Sequence, residues 1–334
     1  MLELTYVGAP IQERIAAAPL VPPQLRKAGN EPDSSGVVTF TWSGAGRDQA
    51  DLTLKVPRNP QMNEAIQREK TLLTYLHHQL GQDPVYSQQF AHVYGSRPLG
   101  RSQALLLTAV PGKTLAAQLH WWNRAYYLNL SGRWLSDFHH RTITSWVVLD
   151  NQRLDWLITT YLDELWSEQH AVPALLPLPE QLEGVKKGVR HSLRPLLGQK
   201  IPLTVVHGAF QAHNIRVARG RVSGLDNWGN GRTEGLPWED FWQFPLTLFQ
   251  DTSGSIAESW NTLMAHRQTI NDYWHVYRQR EGLSALPGSP WNWLAWVCLV
   301  EAMKQILPWQ TNWEQYQYWL DMARCATNKL NLHE

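Results

Sequence analysis

Val205-Val206-His207-Gly208-Ala209-Phe210-Gln211-Ala212-His213-Asn214-Ile215, read together with Asp226, is the stretch that decides the fold. Two short β-branched runs flank a loop rich in potential oxygen ligands. A tight hairpin at Arg219-Gly220 returns the chain to Gly224-Leu225-Asp226. Asn214 and Asp226 are 12 residues apart, at the ends of the two strands the hairpin would pair. An amide oxygen and a carboxylate so placed could share one Mg²⁺, a hard cation that takes oxygen ligands. Within the loop, Ala209 contributes only a methyl group and no oxygen ligand.

Composition sets the class around this stretch. A chain of 334 residues exceeds the usual single core and implies two lobes or domains. Its hydrophobic and charged fractions, 43% and 18%, are those of an ordinary globular protein. Lys+Arg 30 against Asp+Glu 29 gives a net charge of +1, which offers no electrostatic footprint for nucleic acid. Lys186, Lys187, Arg190 and Arg194 form a basic cluster, but its helical spacing beside Glu180 and Glu183 reads as a solvated face, with Glu183 and Lys187 as an i,i+4 pair. Cys298 and Cys325 lack metal-ligand spacing and read as buried thiols of a reducing compartment. The N-terminus carries Glu3 and no basic or apolar signal region, and no uncharged run is long enough to span a membrane. The expectation is a soluble, cytoplasmic protein that binds neither membrane nor nucleic acid; nothing fixes its oligomeric state.

The chain divides by pattern into residues 1–110 and 111–334. In the first part Gly36 to Trp42 and Ala50 to Val56 read as strands. Asn63 to Leu80 reads as a helix, with Ile66, Leu72, Leu73, Leu76 and Leu80 on one face. His92 to Tyr94 and Ala104 to Thr108 read as two further strands, giving a small sheet packed on one helix. The second part is mainly helical. Its predicted helices are Leu115 to His140, Leu154 to Glu168, Pro179 to Leu197, Trp238 to Phe249, Ser255 to Glu281, Trp291 to Ile306 and Trp313 to Leu330, with the hairpin set between the third and fourth. The fold class is therefore α+β.

Two further elements carry chemistry. Lys55 ends an apolar strand, where a lysine is commonly a solvated edge charge. Glu69 on the next helix can face the same way as Leu72, Leu73 and Leu76, and a strand lysine held by a helix glutamate is placed to touch phosphates. Glu64 competes for that pairing, since one sequence does not fix the helix phase. The second element is Leu105 to Leu115, an apolar strand running into Val110-Pro111-Gly112. It would leave backbone groups of Thr108 to Val110 to pair with an adenine edge, or it is a plain strand-to-helix connection.

Lys55, Glu69, Leu105 to Gly112, Leu135-Ser136-Asp137-Phe138-His139, His207 to Asn214, Asp226 and Asp240 follow one another in an order that resembles the aminoglycoside phosphotransferases and related small-molecule kinases. The resemblance covers about Val37 to Phe249. It implies a two-lobed, protein-kinase-like fold: a small N-terminal antiparallel sheet with one helix, 1–110, for the nucleotide, and a larger helical lobe, 111–334, bearing the catalytic loop and the metal-binding hairpin. It further implies ATP and Mg²⁺ as cofactors, Lys55 on the phosphates held by Glu69, Thr108 and Val110 toward the adenine, and Asn214 and Asp226 as metal ligands. His207 would brace the loop, and Asp240, in Gly235-Leu236-Pro237-Trp238-Glu239-Asp240, would cap or brace it.

The chain departs from the family pattern in three places. Ala209 stands where the family has its catalytic aspartate, neither Gly29 to Gly36 nor Ser43 to Gly46 is a tidy phosphate-covering loop, and Asn227 follows the metal aspartate where tryptophan often does. Losing a general base costs on the order of 10²–10⁴-fold, so slow ATP-dependent phosphorylation of a small-molecule hydroxyl is the first expectation. The alternative is a pseudokinase that binds nucleotide or metabolite without turnover. His213 is a poor substitute base. Of the 18 tryptophans, most are expected in the core. Trp121, Trp122 and Trp242 are candidates for an aromatic wall against a sugar-like or planar acceptor. Glu234, Glu239, Asp240 and Asp251 are the only dense acids near the loop, so a neutral hydroxylated metabolite is expected rather than a polycationic antibiotic.

Overall fold

The computed structural model describes residues 26–27, 37–42, 51–159, 179–249, 255–307 and 310–330. These cluster into two compact units. Residues up to Ala117 form the first together with His213–Gly231, and Gln118–Ala212 with Arg232 onward form the second. The hairpin that the sequence order sets inside the second half thus shares its contacts with the first. Both candidate phosphate-covering segments, Gly29 to Gly36 and Ser43 to Gly46, lie outside the described residues.

The first unit contains a five-stranded antiparallel sheet, ordered β1 (Arg26–Lys27), β2 (Val37–Trp42), β3 (Leu52–Pro57), β5 (Ser102–Thr108), β4 (Val93–Leu99). Side chains alternate across β3. Leu52, Leu54 and Val56 pack with Ala104 and Leu106 on one face, which leaves Lys55 on the other. Helix α1 (Asn63–Leu80) buries Ile66, Glu69, Leu72, Leu73, Leu76 and Leu80, the stripe its spacing predicts. β6 (Lys113–Thr114) extends the hairpin of β9 (Ile215–Ala218) and β10 (Arg221–Leu225) into a three-stranded sheet, ordered β10-β9-β6. Gly224 is required where β10 passes Gln89: its φ is +151° and a Cβ would collide with the Gln89 carbonyl. The hairpin is covered by Trp228, fully buried, whose ring meets Phe90 at 5.6 Å.

In the second unit a small sheet of β7 (Ile143–Val148), β8 (Lys200–Val206) and β11 (Arg232–Gly235) is surrounded by helices. These are α2 (Arg124–Arg141), α3 (Asn151–Ile158), α4 (Pro179–Leu193), α5 (Trp238–Phe249), α6 (Ile256–Ala265), α7 (Arg267–Tyr277), α8 (Trp291–Lys304) and α9 (Trp313–Leu330). Helix α8 is buried almost all round and is the central helix of this core.

Several predicted boundaries move, each for a tertiary reason. The helix expected from Leu115 starts at Arg124, because Lys113 and Thr114 pair with β9 and the Leu115 N–H donates to Ile215 O at 2.7 Å. The helix expected from Leu154 starts at Asn151, with the Asp150 carboxylate capping the Arg153 N–H at 2.7 Å; residues 160–178 lie outside the described residues. The run expected from Ser255 to Glu281 breaks at His266 into α6 and α7. Helix α4 gives way to a tighter turn at Arg194–Leu196, where Pro195 cannot continue it. β7 was not foreseen. In the basic cluster, Glu183 pairs with Lys186 rather than Lys187, and Arg190 with Asp155. Cys298 is buried while Cys325 is only half-buried, and both are free thiols. No helix among the described residues is long and apolar enough to cross a membrane.

Candidate functional site

In the first unit the structure brings Lys55, Glu69, Asn214 and Asp226 into one hydrogen-bonded group. Lys55 and Glu69 are both buried, and Lys55 Nζ donates to Glu69 Oε1 at 2.6 Å. Two buried charges are tolerable only when paired and hydrogen-bonded; here Glu69 Oε1 also accepts the Trp228 N–H at 3.2 Å. Glu64, the competing partner, lies on the exposed side of α1 and pairs with Arg68.

The hairpin supplies the oxygen donors. Ile215 pairs with Leu225, and the Asp226 N–H donates to Asn214 O at 2.9 Å, so the two predicted ligand residues are adjacent. Asn227 then takes a left-handed conformation, φ +61°, which asparagine adopts more readily than most residues. Its side chain joins the two halves: Oδ1 accepts from Lys55 Nζ at 2.8 Å, and Nδ2 donates to Asn214 Oδ1 at 2.8 Å. Arg216 Nε donates to Asp226 Oδ2 at 2.5 Å. The donor atoms therefore suit a hard divalent cation in kind. As arranged, however, the Asn214 amide oxygen faces an amide N–H and the Asp226 carboxylate faces a guanidinium, and this does not fit such an ion.

In the segment expected to face adenine, several backbone groups already have partners. The Thr108 N–H is committed to His92 O at 2.9 Å, its hydroxyl accepts the His92 N–H at 2.7 Å, and the Ala109 N–H is committed to Asp51 O. The Thr108 N–H and hydroxyl are thus both used inside the sheet.

The second unit holds the loop with Ala209. His207 is fully buried; its N–H donates to Asp240 Oδ2 at 2.7 Å and its Nδ1 accepts the Ala209 N–H at 3.2 Å. Gly208, at φ +71°, donates its N–H to Asp240 Oδ1 at 2.8 Å. Asp240 also receives His139 Nε2 at 3.2 Å, and His139 Nδ1 lies 2.6 Å from the Tyr277 hydroxyl. Complete burial alone would raise the Asp240 carboxyl, but the hydrogen bond and charge of His139, with those of His207, hold it below its usual value. Burial pushes the Tyr277 hydroxyl well up, so it stays protonated.

On its other side the loop rests on α5 and α8. The Gly208 carbonyl accepts from Lys304 Nζ and Gln243 Nε2, both at 2.8 Å, and Glu301 Oε1 accepts from the same two groups at 2.6 Å. Gln243 Oε1 accepts the Phe210 N–H at 2.6 Å. The Ala209 methyl sits half-buried within this brace, and His213 is exposed.

The tryptophans divide by burial. Trp242 is fully buried, with its N–H donated to Pro290 O at 2.9 Å, so it is core and not part of an acceptor wall. Trp121 and Trp122 are 83% and 67% exposed. Glu239 is buried against Arg232, and Asp240 is consumed by the loop, so neither is an open acid; Asp251 lies outside the described residues.

Arg216, Gln243 and the Glu301–Lys304 pair were missed from sequence, and Asn227 was noted only as a departure from the family pattern. A signal existed for the last, because Glu301 and Lys304 are the only charges in an otherwise apolar helix.

A lysine–glutamate pair between a strand and a helix, a hairpin joining an asparagine to an aspartate, and a histidine-glycine loop braced by a buried acid together define the small-molecule kinase class of fold. The sequence model of the phosphotransferase enzyme family matches residues 32–265, and the chain belongs to that family. No curated protein matches it in sequence. Among solved structures it is similar to the aminoglycoside phosphotransferase APH(4)-Ia (11% identity, 98% of this chain and 99% of that one, TM-score 0.61). It is also similar to the streptomycin–ATP ternary complex of APH(2'')-IIa (15% identity, 97% of each chain, TM-score 0.53). An ethanolamine kinase from Plasmodium vivax matches as well (9% identity, 94% of this chain and 85% of that one, TM-score 0.61).

Proposed function

We propose that this protein binds ATP through Lys55 in its first unit and transfers the γ-phosphoryl group, slowly, to the hydroxyl of a small neutral molecule. One observation carries the reading: a buried Lys55–Glu69 pair between strand and helix, tied through the half-buried Asn227 to Asn214. Hydrophobic residues of similar volume serve a core at least as well as a buried ion pair. A solved family neighbour holds ATP with a small-molecule acceptor, streptomycin.

In the transfer the acceptor oxygen bonds to the γ-phosphorus, the bond to ADP oxygen breaks, and the acceptor proton leaves to water, because Ala209 cannot take it. The phosphates would lie against Lys55, whose ammonium is held in place by Glu69 and Asn227 and offsets charge on the phosphate oxygens. In the second unit, Trp121 and Trp122 present exposed indole rings of the kind on which a sugar-like or planar molecule stacks. A cytoplasmic location remains part of this proposal.

The second reading is a pseudokinase, and Ala209 together with the Arg216–Asp226 pair favours it. ATP should raise the melting temperature of the full chain, and Lys55→Met should abolish most of that rise; no rise under any metal condition would sink the kinase and the nucleotide-binding pseudokinase together. Ala209→Asp separates them: turnover rising on the order of 10²–10⁴-fold supports an impaired kinase, whereas ATP binding with no turnover in either protein supports the pseudokinase.

A further inference from the structure

Arg216 lies on β9, two residues after Asn214, and its Nε donates to Asp226 Oδ2. Both side chains are largely covered, at 30% and 22% exposure, so the pair is not a freely solvated surface contact. We propose that Arg216 is the resident cation of this site, seated against Asp226 where the family would place a divalent ion, and that nucleotide phosphates bind here without requiring a metal. The proposal rests on the nucleotide-binding reading above.

Three observations lead to it. First, a guanidinium is charged at any ordinary pH and presents a planar fork of donors suited to both carboxylate and phosphate. Its Nε is used on Asp226, and neither Nη makes a hydrogen bond among the described residues, so the outer edge of the fork can meet phosphate oxygens. Second, the Asn214 side-chain oxygen accepts from Asn227, and Asn227 is in turn tied to Lys55. The two family ligands are thus held in a hydrogen-bond network that is complete without an ion. Third, the local charges balance: Lys55 and Arg216 stand against Glu69 and Asp226. A divalent ion on Asp226 would sit directly beside the guanidinium that now occupies its Oδ2, and would have to drive Arg216 out.

The experiment uses the full-length protein and has a nucleotide arm and a metal-only arm. In the first, melting temperature is followed with ATP in the presence of Mg²⁺ or of EDTA. The wild type is expected to show the same rise in both, and Arg216→Met to show a rise only with Mg²⁺. A wild-type rise that EDTA removes overturns the proposal. The second arm omits nucleotide and titrates Tb³⁺, reading luminescence sensitised by nearby tryptophan such as Trp228. Wild type and Asp226→Asn should give the same signal, whereas Arg216→Met should gain a saturable signal that Arg216→Met/Asp226→Asn lacks. A wild-type Tb³⁺ signal that Asp226→Asn removes overturns the proposal, and that comparison holds even where Arg216→Met does not fold. If ATP stabilises none of these proteins, the nucleotide reading fails while the Tb³⁺ arm still judges Arg216.

Discussion

Lys55 and Glu69 are each too costly to bury alone, and their pairing makes both tolerable. Lys55→Ala leaves the Glu69 carboxylate with only the Trp228 N–H, and should destabilise the protein by about 3–5 kcal/mol. Glu69→Gln keeps an acceptor for Lys55 and should lower the melting temperature less, while weakening ATP by roughly 10- to 100-fold as the ammonium loses its charged anchor. Thermal denaturation and ATP titration of the two variants check this; equal stability of Lys55→Ala and wild type would refute the buried-pair argument. At this scale the sequence was legible where a residue's role follows from its position along a strand or helix. β3 alternation put Lys55 opposite Leu54, and the α1 stripe carried Glu69 inward. It was not legible where the role depends on a backbone twist. Asn227 reaches both Lys55 and Asn214 only because it adopts a left-handed conformation, and Arg216 meets Asp226 only through the bulged pairing between Val222 and Gly224.

At the scale of elements, the loop after β8 is shaped by α5. Asp240, in the first turn of that helix, accepts two consecutive loop N–H groups and His139, so a helix start positions the peptide that carries Ala209. The carboxyl is held below its unfolded value. The stability it contributes is therefore complete above the usual aspartate range near pH 4, and is lost as pH falls through the lower folded value. Asp240→Asn should lower stability at neutral pH and lose less than wild type between neutrality and about pH 3. Melting temperatures measured across that range test it, and parallel curves for the two proteins would count against the brace. The resemblance to the kinase family implied a bracing role for Asp240 before any geometry. It could not give the rest on α8, because Glu301 and Lys304 lie nearly a hundred residues further on and meet Gly208 only through tertiary packing.

At the scale of the molecule, the first unit is discontinuous in sequence: residues up to Ala117 need His213–Gly231 to complete it. The returning segment brings Leu225, paired in parallel with Phe90, and Trp228, fully buried with its indole N–H donated to Leu225 O. It also brings all of Asn214, Arg216, Asp226 and Asn227. A contiguous cut at 110/111 therefore separates Lys55 and Glu69 from every group that Asn227 joins to them. Sequence could order these pieces but not sort them into units, because the sorting is done by β6 pairing with β9 and by Trp228 packing on Phe90. Trp228→Ala should cost about 3–5 kcal/mol, and should lower ATP affinity as well, since the indole holds in place the hairpin whose backbone N–H at position 228 meets Glu69. Replacing Trp293, equally buried and stacked on Trp238 at 4.0 Å in the second unit, should cost a similar amount. In that case ATP affinity, measured below the transition, should be unchanged. Denaturant unfolding and ATP titration of the pair settle the point: equal losses of ATP affinity in both variants would mean that nucleotide binding follows overall stability, not the integrity of the first unit.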